Sequence, residues 1–398
     1  MKLTTSLAIA STLAITSAAS DSASSGKVLF SGVGYDFSYN PLGKIQDSKD
    51  QCSCELSDKT VWSTGPNAPF SENLAVHVRG PLKLSKFSFY TSSNFTIGTN
   101  SSDNWNRTAY FDNTGDSEVH ENVTFLGMVG NDTDCLGKKL SYVGQDGQSV
   151  EKQNTAPGRY MQPTSDVEYV LFSNVSCPKS SVKGGCGVYR DDIPAFYGYG
   201  GVTKMFLFEF SMPDDVFKSN DTSEFNAPSI WLSSDSLPRV TSKYGLDNNC
   251  SCLFQGCGGF EVFSANSSVM YSSIMSLQGV ADVNANNAMS ALFNNEGNGY
   301  FDRPKNVSVT GGIIFDTTGN VATFISDNIK FDGELTASSV NSILAGLEQL
   351  GTTKVLEAGT QAAPTSSAKH NAGNVIAPTN GMWLFLSTVF IAAAQYLF

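Results

Sequence analysis

Histidine is scarce in this sequence of 398 residues, which contains only His77, His120 and His370. A serine hydrolase needs a histidine base beside its nucleophile and often a GxSxG turn, and the chain has neither the turn nor an obvious histidine partner. The pairs Cys52-Ser-Cys54 and Cys250-Ser-Cys252 have no histidine near them to complete a zinc site. We therefore expect no serine hydrolase, no metal site and no cofactor.

Basic residues are also few, with 25 Lys and Arg against 37 Asp and Glu and a formal net charge of -12. Proteins that bind nucleic acid neutralise phosphates with clustered Lys and Arg. The composition therefore argues against a nucleic-acid partner.

Long apolar runs occur at the two ends. The N-terminus has the pattern of a secretory signal peptide, which we place at residues 1–19: a basic Lys2, the apolar run Leu7 to Ile15, and the small residues Ser17 and Ala19. The tail 382–398 is uncharged and follows Asn371-Ala372-Gly373 and a short polar spacer, the layout of a GPI-anchor signal. We expect attachment at Asn371 and removal of residues 372–398. An ordinary tail-anchored helix is the alternative.

A secreted chain also accounts for the Asn-x-Ser/Thr sequons, which mark surface positions where they are used. The predicted N-glycosylation sites are Asn94, Asn100, Asn106, Asn122, Asn131, Asn174, Asn220, Asn249, Asn266 and Asn306. Some of them can be chance matches in a chain rich in Asn and Ser.

The cysteines are even in number, which in a secreted chain predicts disulfides. They are Cys52, Cys54, Cys135, Cys177, Cys186, Cys250, Cys252 and Cys257. Spacing does not give their connectivity, although Cys177 and Cys186 bracket a glycine-containing loop and form a plausible local bridge.

Strand patterns dominate the rest of the chain and predict a mainly β, antiparallel fold. The runs lie at 74–78, 87–90, 167–172, 205–212, 229–232, 260–263, 307–315 and 321–325. One amphipathic helix is predicted over 337–350 behind a Thr336 or Ser338 cap. We divide the chain into an N-terminal β region (20–135), a β-sandwich region (165–356) and a polar stalk (357–371), with the weakly periodic segment 136–164 as a loose boundary.

The segment Gly256 to Ser264, GCGGFEVFS, carries an unusual pattern. A retaining glycosidase needs two carboxyl groups about 5 to 5.5 Å apart. A bulged strand with the pattern ExDxxE can present them on one face. The corresponding positions here are Gly259, Glu261 and Ser264, so only the middle position keeps a carboxylate. Asp191, Asp192, Glu209 and Asp235 are other acidic candidates, but none forms a second pair at strand spacing.

Three consecutive segments together resemble glycoside hydrolase family 16: KMFLFEFSMP (204–213), APSIWLSSDSLPR (227–239) and CSCLFQGCGGFEVFS (250–264). With VHVRGPLKLSKFSFY (76–90), they are more closely similar to the fungal GPI-anchored cell-wall proteins described as probable circularly permuted β-1,3-glucanases. The resemblance implies a circularly permuted, concanavalin-like jelly-roll β-sandwich with a glucan cleft. It puts the nucleophile position at Gly259, the assisting acid at Glu261 and the acid/base position at Ser264.

Binding of glucan can outlast catalysis, because sugar rings stack on aromatic faces. The resemblance assigns Trp231 to the cleft strand, and Tyr197 and Tyr199 lie in a glycine-rich turn just before strand 204–213. Each of these rings can instead belong to the sandwich core. Glu261 can bond a sugar hydroxyl or make a structural contact.

Two main hypotheses follow. The chain is either a cell-wall β-1,3-glucan hydrolase or remodelling enzyme, or a catalytically inactive glucan-binding or structural wall protein held by its anchor. A coat protein that only presents glycans is a third. We expect a monomer that is secreted to the cell wall or the outer leaflet of the plasma membrane, with β-glucan as partner.

Overall fold

The computed structural model describes residues 22–34, 37–48, 51–100, 102–133, 135–161, 164–215, 225–243, 250–252, 257–266, 268–274 and 299–355. The predicted signal peptide, stalk, anchor signal and Asn371 lie outside these residues, as do His370 and the sequons at Asn220 and Asn249. None of the helices within the described ranges has the length and apolarity that a bilayer-spanning helix needs.

Two large sheets form the body of the protein, and strands are numbered here in chain order. The ten-stranded sheet consists, from edge to edge, of β1 (Ser22–Ala23), β19 (Tyr300–Asp302), β18 (Val269–Ile274), β17 (Gly259–Ala265), β16 (Ser229–Ser234), β7 (Leu74–Arg79), β14 (Glu168–Phe172), β11 (Thr124–Met128), β12 (Leu140–Val143) and β13 (Val150–Glu151). All its strand pairs are antiparallel except β1 with β19.

The nine-stranded sheet lies against one face of the first. Its order is β10 (Val119–Glu121), β9 (Trp105–Asp112), β8 (Lys83–Thr91), β15 (Lys204–Ser211), β20 (Val309–Phe315), β21 (Val321–Ile325), β2 (Gly26–Ser31) and β23 (Gln349–Lys354), and β22 (Glu334–Leu335) pairs with β9. The fold is therefore the mainly β, antiparallel sandwich that the sequence predicts, and each of the predicted strands is present.

The core fills the space between the two sheets. Apolar side chains at alternate positions of both sheets meet there, among them Val78, Phe125, Phe208, Ile230 and Phe260. Because side chains alternate along a strand, the intervening positions of the ten-stranded sheet point away from the nine-stranded sheet. We call this side of the ten-stranded sheet the outer face.

The sequence regions before and after residue 135 are interleaved in this sandwich. Strand β7 from the N-terminal region pairs with β14 on one side and with β16 on the other. The segment 136–164 contributes β12 and β13 to the same sheet.

The predicted C-terminal helix is also present as α2 (Ala337–Gly346), with Thr336 as its cap accepting from the Ser339 amide at 3.2 Å. Val340 and Leu344 pack with Trp105 and Leu207 over the nine-stranded sheet. The helix ends earlier than predicted because residues 349–354 pair with β2 as strand β23.

Two small hairpins lie before β7. Strand β3 (Phe37–Tyr39) pairs with β6 (Val61–Ser63), and β4 (Leu42–Ser48) pairs with β5 (Gln51–Leu56). A disulfide from Cys54 to Cys250 ties β5 to the segment that follows a short helix, α1 (Ser236–Val240). The local bridge Cys177–Cys186 is confirmed, Cys252 pairs with Cys257, and Cys135 is also disulfide-bonded.

Most described sequons lie at the surface. The asparagines at 94, 100, 106, 131, 174 and 306 are exposed, whereas Asn122 and Asn266 are half-buried and bond to neighbouring backbone. Glycosylation at these positions stays a prediction.

Candidate functional site

The site begins with the bulge that the ExDxxE spacing requires. Trp231 of β16 pairs with Glu261, and the adjacent Ile230 pairs with Phe263, so β17 carries one extra residue between these two pairs. Phe260, Val262 and Phe263 consequently all point into the core. Gly259, Glu261 and Ser264 share the outer face.

Glu261 is the carboxyl group of this strand, and it is half-buried. Its Oε2 accepts a hydrogen bond of 2.6 Å from Ser273 of β18. Burial raises the pKa of Glu261 above its ordinary value, although the Ser273 bond and the Arg79 charge act in the opposite direction. Among the charged groups of the described residues, Arg79 acts on Glu261.

The two flanking positions hold no acid. Gly259 has no side chain, and Ser264 is 4 % exposed with its Oγ 2.8 Å from Ser229 Oγ. A hydroxyl group engaged in this way neither donates a proton at neutral pH nor replaces a carboxylate nucleophile. The strand therefore retains the backbone geometry of a two-carboxylate site without its chemistry.

The other acidic candidates lie elsewhere. Asp191 and Asp192 are exposed, and Glu209 belongs to the nine-stranded sheet, where it pairs with Lys86 at 3.3 Å. Asp235 precedes α1 and forms an ion pair of 2.8 Å with Arg239. None of them supplies a partner for Glu261.

A polar row crosses the middle of the outer face. His77 Nδ1 lies 3.0 Å from Glu168 Oε1, and His77 Nε2 lies 2.9 Å from Ser233 Oγ. An ionised carboxylate only accepts, so we assign the proton to Nδ1 and let Nε2 accept from Ser233. The order Ser, His, Glu is that of a hydrolase triad, and it supplies the histidine partner that the sequence did not reveal. However, Ser233 and His77 are both 0 % exposed, so no substrate reaches this serine.

Burial controls the electrostatics of this row. Complete burial lowers the pKa of His77, which therefore stays neutral at pH 7. Burial alone would raise the pKa of Glu168, but its hydrogen bond to His77 and the nearby Arg79 charge outweigh this and lower it. The row is thus a neutral imidazole held between an ionised carboxylate and a hydroxyl.

Trp231 stacks on His77, with ring centroids 3.7 Å apart and planes 22° apart. Leu237 and Cys257 pack with it, which leaves Trp231 7 % exposed. The sequence left a sugar-facing ring and a core ring open. The structure places the ring on the outer face but covers it, and its contact with sugar stays a prediction.

The two tyrosines of the glycine-rich turn lie in different environments. Tyr199 is 2 % exposed, packs against Phe87 and Phe89, and donates to the Phe172 carbonyl at 2.8 Å. Its ring therefore belongs to the core between the sheets and is not available to a sugar. Tyr197 is half-buried in the segment that covers one end of the outer face.

Two family descriptions match this chain. The C-terminal region of the cell wall proteins YJL171C/Tos1 matches residues 103–343, and the N-terminal region matches residues 26–92. The chain belongs to the YJL171C/Tos1 cell wall protein family. The resemblance to the fungal proteins described as probable circularly permuted glucanases is therefore confirmed.

Relatives of this YJL171C/Tos1 family member cover nearly its whole length. It is 40 % identical to "Probable circularly permuted 1,3-beta-glucanase YJL171C" of Saccharomyces cerevisiae, over 96 % of this chain and 95 % of the relative. It is 41 % identical to "Probable circularly permuted 1,3-beta-glucanase PGA52" of Candida albicans, over 86 % of this chain and 88 % of the relative. No solved structure gives a significant match.

Sequence reasoning missed several outer-face residues of this family member. Tyr271 and Tyr300 are half-buried on β18 and β19; Tyr271 lies beside Glu261 and Arg79, and Tyr300 lies beside Tyr271. His77 and Arg79 lie two residues apart in the strand AVHVR, and this spacing indicates that both side chains lie on one face of the strand. The spacing does not reveal which strands lie next to β7, so their partners Glu168 and Ser233 could not be found.

Proposed function

We propose that this protein binds β-1,3-glucan in the fungal cell wall on the outer face of its ten-stranded sheet, and that it does not cleave the polymer with the two-carboxylate mechanism. The observation that carries the proposal is the bulged strand β17. It keeps Glu261 but has Gly259 and a hydrogen-bonded Ser264 where the two catalytic carboxyl groups are needed. The relatives are named as probable 1,3-beta-glucanases, which gives the polymer as a 1,3-β-glucan.

The contact surface is the patch formed by Tyr271, Tyr300, Glu261 and Arg79, which we call the tyrosine patch. Both tyrosines lie close enough to interact electrostatically, and Tyr271 also interacts with Glu261 and Arg79. Half-buried aromatic rings next to a carboxylate and a guanidinium offer a stacking surface and hydrogen-bond partners for sugar hydroxyls. Trp231 and His77 support this surface from the neighbouring strands.

A pull-down on insoluble β-1,3-glucan tests the proposal. The full chain is expected to bind, and Tyr271→Ala to weaken binding about tenfold because it removes one stacked ring, of the order of 1 kcal/mol. Tyr160→Ala is the matched control, since Tyr160 is 82 % exposed and lies outside the tyrosine patch. Equal binding by both variants and the native chain contradicts the assignment of the patch.

Hydrolysis is the second candidate, and the glucanase names of the relatives favour it. It predicts soluble products from laminarin that disappear in Glu261→Gln. The binding proposal predicts no products with either chain.

A further inference from the structure

A cleft lies between the N-terminal hairpins and the sandwich, where β7 begins and β16 ends. It encloses about 410 Å³, within the range of small-molecule sites. The short helix α1 and the Cys252–Cys257 bridge lie between this cleft and Trp231. We call it the hairpin cleft.

The walls of the hairpin cleft combine apolar and polar groups. Leu42 and Val61 come from the hairpins, and Val182 comes from the disulfide-closed loop 177–186. Tyr39 and Glu72 line the cleft, and Tyr39 Oη lies 3.5 Å from Glu72 Oε2. An aromatic ring beside a carboxylate on an otherwise mixed surface is suited to a ring-shaped ligand with hydroxyl groups.

The charges around the cleft largely cancel. Asp235 accepts from Arg239 at 2.8 Å and from the Gly198 amide at 2.8 Å, so both of its oxygens are engaged. Lys204 lies behind Glu72 and donates to the Glu72 carbonyl at 2.7 Å. Arg239 neutralises Asp235, and Lys204, whose pKa is lowered to about 7 by burial, offsets part of the Glu72 charge. The small remaining charge favours a neutral polar ligand over an ion.

Glu72 is the half-exposed member of this group. Burial and the Asp235 charge raise its pKa to about 6, while hydrogen bonds from Tyr39 and Ser63 and the Lys204 charge act in the opposite direction. Above this pH the ionised carboxylate accepts hydrogen bonds from hydroxyl groups, and charge-assisted bonds are the stronger ones.

We propose that the hairpin cleft is a second saccharide site, which holds a short stretch of β-1,3-glucan by stacking on Tyr39 and by hydrogen bonds to Glu72. The choice of glucan as the saccharide rests on the proposed function; the cleft itself is separate from the tyrosine patch. One chain then holds two glucan segments at once.

Isothermal titration of the full chain with a short linear β-1,3-gluco-oligosaccharide tests this inference. Two molecules are expected to bind per chain. Ser236→Trp, which fills the cleft, is expected to leave one, and Tyr271→Ala to weaken the other site only. Glu72→Gln is expected to weaken the cleft site about tenfold at pH 7 and to abolish its loss of affinity between about pH 7 and pH 5. Glu55→Gln is the matched control, because Glu55 is an exposed hairpin residue outside the cleft.

The outcomes separate the two proposals. A single site that Tyr271→Ala weakens and Ser236→Trp leaves intact overturns the hairpin cleft and keeps the proposed function. A single site lost in Ser236→Trp alone supports the cleft and overturns the tyrosine patch. Absence of any binding by the folded native chain overturns both.

Discussion

Ser264 Oγ and Ser229 Oγ lie 2.8 Å apart on adjacent strands, and both residues are buried. This hydrogen bond occupies the position at which the family resemblance places the acid/base carboxyl group. It gives the position a structural role that is measurable without any activity.

Removing either hydroxyl breaks this bond between two buried groups, which costs about 1–3 kcal/mol. Ser264→Ala and Ser229→Ala are each expected to lower the free energy of unfolding by such an amount, and the double variant to lower it by less than their sum. A double-mutant cycle by urea unfolding measures the coupling. Strict additivity contradicts the bond. Ser268→Ala, an exposed serine of the following turn, is the control.

We expect His77 to make the folding stability decrease as the pH becomes acidic. Its pKa is lowered in the folded protein, so its contribution is fully present above the ordinary value of 6.5. As the pH falls below this value, the unfolded chain takes up a proton before the folded chain does, and stability decreases. The native chain should lose more stability between about pH 7 and pH 5 than His77→Gln does. His120→Gln, at an exposed histidine, should behave as the native chain. Parallel losses in all three proteins exclude this role for His77.

We expect Lys204 to make the folding stability increase with pH between about pH 7 and pH 10.5. Burial lowers its pKa from 10.5 to about 7, although Glu72 and Asp235 act in the opposite direction. Between these two values the unfolded chain binds more protons, so stability rises with pH over this range. Lys204→Met should flatten the rise, whereas Lys152→Met, at an exposed lysine, should keep it. Urea unfolding at several pH values measures the slope, and an unchanged slope in Lys204→Met rejects the assignment.

The disulfides are expected to contribute unequally. Cys54–Cys250 joins residues 196 apart, and Cys177–Cys186 joins residues 9 apart. The chain-entropy relation gives about 5 kcal/mol for the first loop and about 3 kcal/mol for the second. Paired Cys→Ser variants, compared by denaturant unfolding, should show this order. Because Cys54 also holds the hairpins at the cleft, its loss should weaken the cleft site as well. A larger effect of the short bridge contradicts the relation for this protein.

The sequence predicted those parts of the fold that local patterns encode. The strand predicted at 205–212 is an apolar run bounded by turn residues, and the structure has it as β15 (Lys204–Ser211). The helix after Thr336 follows a 3.6-residue period with a capping residue. The bridge between Cys177 and Cys186 closes a short loop. In each case neighbours along the chain determine the structure.

The rest depends on contacts between distant segments. Placing Glu168 against His77 requires knowing that β14 pairs with β7, and a two-residue period gives no partner or register. The sequence left open whether Tyr199 contacts a sugar or the core, and only its packing against Phe87 and Phe89 of the distant strand β8 decides this. The hairpin cleft was invisible for the same reason, since Tyr39, Glu72 and Asp235 come from three separate segments.

The central claim is that the protein binds glucan and that strand β17 does not cleave it. The most direct measurement incubates laminari-oligosaccharides with the native chain and with a Gly259→Glu, Ser264→Glu double variant, and follows binding and chain length together. The account predicts that the native chain binds without shortening the oligosaccharide, and that any cleavage appears only when both carboxyl groups are restored. Shortened products from the native chain that are lost in Glu261→Gln would contradict it.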